Sequence, residues 1–184
     1  AISESASLAE AEAATTDITF ADLGLSAQML EALTDAGYKK PTPIQAQAVP
    51  LALKGRDLIG LAQTGTGKTA AFTIPIIERL IGGPHRTRAL ILTPTRALCV
   101  QVEESFTKYG RHSGLDVISV YAGVGYEPQG KALRAGVEVI VATPGRVIYH
   151  QGHQNGQFTS EEMLVLHKPD RNHTLYVDKT STKS

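Results

Sequence analysis

Between a short apolar run and a helix-forming run, the chain reads LAQTGTGKTAAF, from Leu61 to Phe72. Gly65 and Gly67 let the backbone turn with its N–H groups facing inward, where a β-carbon would intrude. The helix that starts at Lys68 adds the partial positive charge of its N-terminus. This pattern holds phosphate groups. Ala62, Gln63, Thr64, Gly65, Thr66 and Gly67 form the loop, and Ala62 stands where such loops usually have glycine. The Lys68 ammonium is expected to reach the β- and γ-phosphates and to act in the chemistry there, and the Thr69 hydroxyl is expected to ligate Mg²⁺. The expected cofactors are ATP and Mg²⁺.

A loop of this kind works only between a strand and a helix, and the surrounding pattern supplies both. Apolar runs at Asp57–Ala62, Ala89–Thr93, Val117–Tyr121 and Val137–Ala142 read as buried strands. Helical stretches at Lys68–Leu80, Arg96–Tyr109, Pro128–Ala135 and Arg146–His150 separate them. The alternation predicts an α/β fold, a parallel sheet with helices on both faces. Right-handed crossovers then gather the ligand loops along one sheet edge. Two helices are expected upstream. One is capped by Ser26 and stopped at Gly37. The other opens on Thr42-Pro43 and ends at Gly55, with Pro50 expected to kink or divide it.

Three further stretches fall into a recognisable order with the phosphate loop. GYKKPTPIQ (Gly37–Gln45, with Phe20 upstream), AQTGTGKT, PTRAL (Pro94–Leu98) and TPGR (Thr143–Arg146) resemble the Q motif and motifs I, Ia and Ib of DEAD-box RNA helicases. YAGVG (Tyr121–Gly125) sits where that family has its double glycine, and Gly123 alone matches cleanly. The resemblance spans about residues 18–150. It implies a RecA-like P-loop NTPase domain that binds ATP and RNA, in a parent enzyme that couples ATP hydrolysis to separation of RNA strands. A second RecA-like domain, absent from this chain, is implied as partner.

The resemblance assigns Phe20, Tyr38, Lys40, Thr42 and Gln45 to the nucleotide. A Gln amide has the donor and acceptor to pair with adenine's edge, and a Tyr ring offers a face for stacking. Thr42 suits either a helix cap or an approach to the phosphate loop. Pro94, Thr95, Arg96, Gly123, Thr143, Pro144, Gly145 and Arg146 are assigned to RNA. Hydroxyl and guanidinium donors there suit phosphate and sugar, so recognition is expected to be largely independent of sequence. Taken singly, the threonines and arginines also suit plain helix capping and a solvated face. Ala97 replaces an acidic residue of the family's motif Ia.

The family's next element is an apolar strand ending in Asp-Glu-Ala-Asp. At that spacing this chain has MLVLHKPDR, Met163–Arg171, with His167 for the metal-site Asp, Lys168 for the catalytic Glu and Pro169 for Ala. A lysine is cationic at neutral pH and a histidine is a poor Mg²⁺ ligand, so the chemistry is inverted. TLYVDKT also offers Asp178 followed by a lysine, and restores no Asp-Glu pair. Two readings stay open: a degenerate motif in a protein that binds ATP but hydrolyses it poorly, or a tail foreign to the family. The expected division is a flexible leader at residues 1–17, an incomplete ATP-binding domain at 18–166 and an atypical tail at 167–184.

Composition narrows the class. Lys plus Arg and Asp plus Glu are both 18, which excludes a globally basic nucleic-acid coat but leaves room for a local basic surface. The single cysteine, Cys99, excludes an internal disulfide and a cysteine-cluster zinc site, and suits a reducing compartment. No apolar run approaches the ~18 residues of a membrane span. The leader carries no Lys or Arg, unlike the start of a signal peptide. The expected location is cytoplasmic, and the histidines at 150, 153, 167 and 173 match no metal-ligand spacing.

Overall fold

Ser26 accepts a hydrogen bond from the Met29 N–H and opens helix α1, Ala27–Asp35, whose Met29, Ala32 and Leu33 face inward together. Helix α2, Pro43–Leu53, follows Thr42 with Pro43 in its first turn. Pro50 does not divide α2, which continues past it to Leu53. These assignments come from a computed structural model that describes residues 17–61, 65–155, 158, 161–168 and 173–178. The leader before residue 17 and the loop residues Ala62, Gln63 and Thr64 lie outside the described residues, as do 169–172 and 179–184 of the expected tail.

Among the described residues six strands form one sheet: β1 (Leu58–Leu61), β2 (Ala89–Leu92), β3 (Val117–Val120), β4 (Val139–Ala142), β5 (Met163–Lys168) and β6 (His173–Asp178). Their order is β1-β6-β5-β2-β4-β3. Crossover helices α3 (Lys68–Leu80), α4 (Arg96–Tyr109), α5 (Tyr126–Ala135) and α6 (Pro144–Gly152) connect the strands up to β4 and follow it. β5, β2, β4 and β3 pair in parallel, with Ala89 opposite both Val139 and Met163.

The sheet departs from the all-parallel expectation at β6, which pairs antiparallel with β1 on one side and β5 on the other. Only residues 169–172 separate β5 from β6, too few for a crossover, so the chain can return only as an antiparallel neighbour. The expected boundary after Leu166 therefore falls inside β5, and β6 occupies the slot between the phosphate-loop strand and β5.

Strand alternation builds two cores. On one face, Ala89, Ile91, Val139, Val141, Met163, Val165 and Tyr176 pack with Phe72, Ile74, Ile76 and Ile77 of α3 and Val102 and Phe106 of α4. On the other, Leu90, Val120, Ile140 and Ala142 meet Leu133 of α5, Val147 of α6 and Phe158. Each large side chain so buried contributes roughly 1.5–3 kcal/mol of transfer free energy. The second layer covers the β2–β4–β3 half. At the far edge, Ile59 and Leu61 of β1 are 70% and 66% exposed.

Candidate functional site

Five of the six strands run the same way, because two antiparallel pairings in succession return β1 to the direction of β5. The loops after β1, β2, β3 and β4 therefore share one sheet edge, where the site lies.

At that edge Gly67 sits at the N-cap of α3 with φ +81°, and Gly65 has φ +85°. A β-carbon on Gly67 would strike the Gln45 amide nitrogen and lie 2.9 Å from Thr42 Oγ1. Glycine is required here twice over, by the left-handed backbone and by the close approach of α2. Gln45 is almost fully buried. Its Nε2 donates to Gly67 O at 3.1 Å and its Oε1 accepts from the Thr42 N–H at 3.1 Å. A Gln amide has two N–H groups, so one remains beyond the bond to Gly67 O. Thr42 stands at the cap position of α2, in a capping box with Gln45, and also against the phosphate loop, with its Oγ1 buried. A hydroxyl facing a phosphate cradle can also donate to a phosphate oxygen.

A cavity of about 600 Å³ joins these groups. Tyr38, Thr42, Gln45, Gly65, Gly67, Lys68 and Thr69 line it, and so does His167. Lys68 is buried, and burial holds its ammonium below the usual lysine pKa. Tyr38 lies beneath Lys108, whose Nζ is 4.8 Å from the ring centroid and donates to the phenol oxygen at 3.3 Å. The neighbouring Tyr109 hydroxyl, followed by Lys108, pulls the Tyr38 phenol below its ordinary pKa, and burial pushes that of Tyr109 up. Phe20 is buried in the core and Lys40 is exposed, and neither lines the cavity.

Sequence reasoning missed the far wall, which is Leu98, Gln101, Ser105 and Tyr109 of α4. Their spacing of three and four residues marks one helical face, but nothing in the sequence says that this face meets the phosphate loop.

The residues at the end of β5 decide what the cavity can do. His167 is buried, hydrogen-bonds with Thr174 Oγ1 at 2.8 Å and meets the Phe72 ring edge-on at 5.2 Å. Burial, and then the charge of Lys68, lower its pKa to about 4, so it is neutral at pH 7. Among the described residues lining the cavity there is no carboxylate. The lining fits a triphosphate through Gly67, Lys68 and Thr42. For Mg²⁺ it supplies the Thr69 hydroxyl without the acidic partners that hard divalent cations favour.

The loops assigned to RNA form a second group. Thr95 caps α4, accepting from the Leu98 N–H at 3.3 Å, while Pro94 and Arg96 beside it are exposed. The Arg96 guanidinium lies 4.9 Å from the Tyr121 ring centroid, beside Gly123 with φ +93°. Thr143 takes the cap position of α6 without a side-chain cap bond, leaving its hydroxyl for another partner. Pro144 and Gly145 are exposed in the first turn. Arg146 differs from the expectation of a free donor. It is 7% exposed, donates to Val124 O at 3.3 Å and lies 4.1 Å from the Tyr126 ring centroid, so it braces the 121–126 loop.

A phosphate cradle after an edge strand, braced by a buried glutamine and sharing its sheet edge with the loops after β2, β3 and β4, defines an α/β nucleotide-binding domain of the helicase type. The chain belongs to the DEAD/DEAH box helicase family, whose family model matches residues 42–174. It is 46% identical over 155 residues to ATP-dependent RNA helicase DeaD of Klebsiella pneumoniae, an alignment covering 84% of this chain and 24% of the relative. The DeaD helicase of Escherichia coli strain K12 is likewise 46% identical over 155 residues, with 25% of its length covered. That of Mycobacterium tuberculosis is 44% identical over 153 residues, covering 83% of this chain and 27% of its own. The chain thus spans about a quarter of the length of the curated relatives it matches.

Proposed function

We propose that this chain is the N-terminal ATP- and RNA-binding domain of a cytoplasmic, ATP-dependent DEAD-box RNA helicase. The parent couples ATP hydrolysis to unwinding or remodelling of RNA duplexes, with a second RecA-like domain closing over the nucleotide. One observation carries the nucleotide half: Gln45 bonds the phosphate loop at Gly67 O, and Tyr38, Lys68 and Thr69 line the same cavity. Adenine recognition and phosphate binding are then mechanically joined, because a base that draws on the Gln45 amide pulls on the turn that receives the phosphates. Lys68 would hold the β- and γ-phosphates and Thr69 the Mg²⁺ ion. Bound Mg²⁺ supplies charge neutralisation between phosphate oxygens. RNA would lie along the 94–96, 121–125 and 143–145 loops, held by Thr95, Arg96 and Thr143 with backbone access at Gly123 and Gly145.

A second reading, a hydrolysis-deficient, nucleotide-dependent RNA-binding module, is favoured by His167, which places a neutral imidazole where a carboxylate would hold the metal through water. Calorimetric titration tests the nucleotide reading. ATP should bind more tightly than GTP, Gln45→Ala should erase that preference, and Lys68→Ala should weaken both nucleotides. A preference for ATP that survives Gln45→Ala refutes the adenine assignment. Single-turnover hydrolysis by the full-length parent, with and without RNA, separates the two readings. RNA-stimulated turnover that disappears in Lys68→Ala excludes the hydrolysis-deficient module.

A further inference from the structure

Three rings stack beside the loops just assigned to RNA. Tyr126, at the start of α5, lies over Tyr149 of α6 with ring centroids 3.9 Å apart and planes 24° apart. Tyr149 lies over His153 at 4.1 Å and 22°. At the two ends of the stack, Tyr126 is 49% exposed and carries the Arg146 guanidinium 4.1 Å from its ring centroid, and His153, just past the end of α6, is exposed.

α5 and α6 are joined by polar contacts as well as by this stack. His150 is buried beneath it, hydrogen-bonding with Gln129 Oε1 at 3.2 Å and with the Asn155 amide at 3.1 Å, and Arg134 ties Asn155 at 2.6 Å. The ring stack lies outside that polar network, and its upper end joins the loop that Arg146 braces at Val124. A near-parallel, solvent-facing ladder of aromatic rings next to phosphate-facing loops is the arrangement that a nucleobase extends. Every base has a π-face, so such a platform tolerates any sequence.

We infer that the Tyr126–Tyr149–His153 stack is a base-stacking platform for single-stranded RNA, which the strand reaches as it leaves the 121–125 and 143–145 loops. This rests on the RNA reading above and adds to it a base contact where backbone contacts alone were assigned. The test uses the whole 184-residue chain, a single-stranded oligoribonucleotide carrying 2-aminopurine at successive positions, and an abasic strand of equal length. The base-containing strand should bind about 5- to 150-fold more tightly than the abasic one, the range expected for one stacked base. Quenching of 2-aminopurine should be confined to a position or two. Tyr126→Leu should erase both the preference and the quenching, and Tyr126→Phe should keep them. His153→Ala, at the exposed end of the stack, carries the same test if Tyr126→Leu does not fold. Equal affinity for the two strands, or quenching that persists in Tyr126→Leu, overturns this inference and leaves the RNA reading standing. Failure of the unaltered chain to bind either strand overturns both.

Discussion

Replacing Gly67 with alanine should weaken the fold through two separable effects. The first is the left-handed backbone at φ +81°, which costs a residue with a β-carbon about 1–2 kcal/mol. The second is the wedge: the new carbon would meet Gln45 Nε2 and lie 2.9 Å from Thr42 Oγ1. Relieving it displaces the Gln45 amide from Gly67 O, forfeiting a hydrogen bond worth about 0.5–1.5 kcal/mol. The sum is about 1.5–3.5 kcal/mol, or roughly a 3–14 °C fall in Tm for a chain of this size. Gly65→Ala is the control. Its φ is +85°, yet a β-carbon there meets nothing within 4 Å, so only the backbone effect applies. Urea denaturation of Gly65→Ala, Gly67→Ala, Gln45→Ala and the Gln45→Ala/Gly67→Ala pair completes the assay. Removing the glutamine should relieve part of the Gly67→Ala loss, giving a coupling of about 0.5–1.5 kcal/mol. Equal losses in the two glycine variants, together with strict additivity in the pair, would refute the wedge and with it the mechanical link proposed between Gln45 and the phosphate loop.

Two histidines should give opposite pH dependences. His167 is held neutral, with a folded pKa of about 4 against an ordinary 6.5, so the unfolded chain binds more protons between those values. Stability should therefore fall by up to about 3 kcal/mol as pH drops from 6.5 to 4, and His167→Gln should flatten that limb of a urea-midpoint profile. His85 is pulled above its ordinary value, first by its hydrogen bond to Glu138 at 2.6 Å and then by that carboxylate's charge. Its contribution is complete below pH 6.5 and is lost as pH rises through the folded value. The midpoint difference between the parent chain and His85→Gln should accordingly be larger at pH 5.5 than at pH 9. Finally, Ile59→Thr with Leu61→Thr should slow aggregation while changing stability by less than about 0.5 kcal/mol per site, because both side chains are already largely in water. Light scattering during incubation and the urea midpoint check the two halves of that expectation.

Much of this protein is legible from short-range pattern. The glycines at 65 and 67, the Lys68-Thr69 pair and the apolar runs of β1, β2, β3 and β4 announce a phosphate loop in an α/β sheet, because backbone sterics and side-chain periodicity act within a few residues. The histidine at the end of β5 is equally plain. Its chemistry already argued against a carboxylate-type metal site before any neighbour was known.

What the sequence could not show is which residues from distant segments converge. The chain beyond Leu166 lacks the pattern of its predecessor, yet its TLYVD run completes the sheet as β6. Nothing local dictates that slot. It is set by the short link from β5 and by the vacant pairing edges of β1 and β5. Gln45 is an ordinary helix residue until packing brings it under Gly67, 22 positions away. Arg146 has the makings of a surface donor, and only the fold buries it against Val124 and Tyr126. Likewise Tyr126, Tyr149 and His153 carry no shared signal along the chain and become one stack when α5 meets α6. Residue type and spacing determined what could bind here. Close packing, which satisfies some polar groups internally and leaves others facing the site, decided which of them remain free to do it.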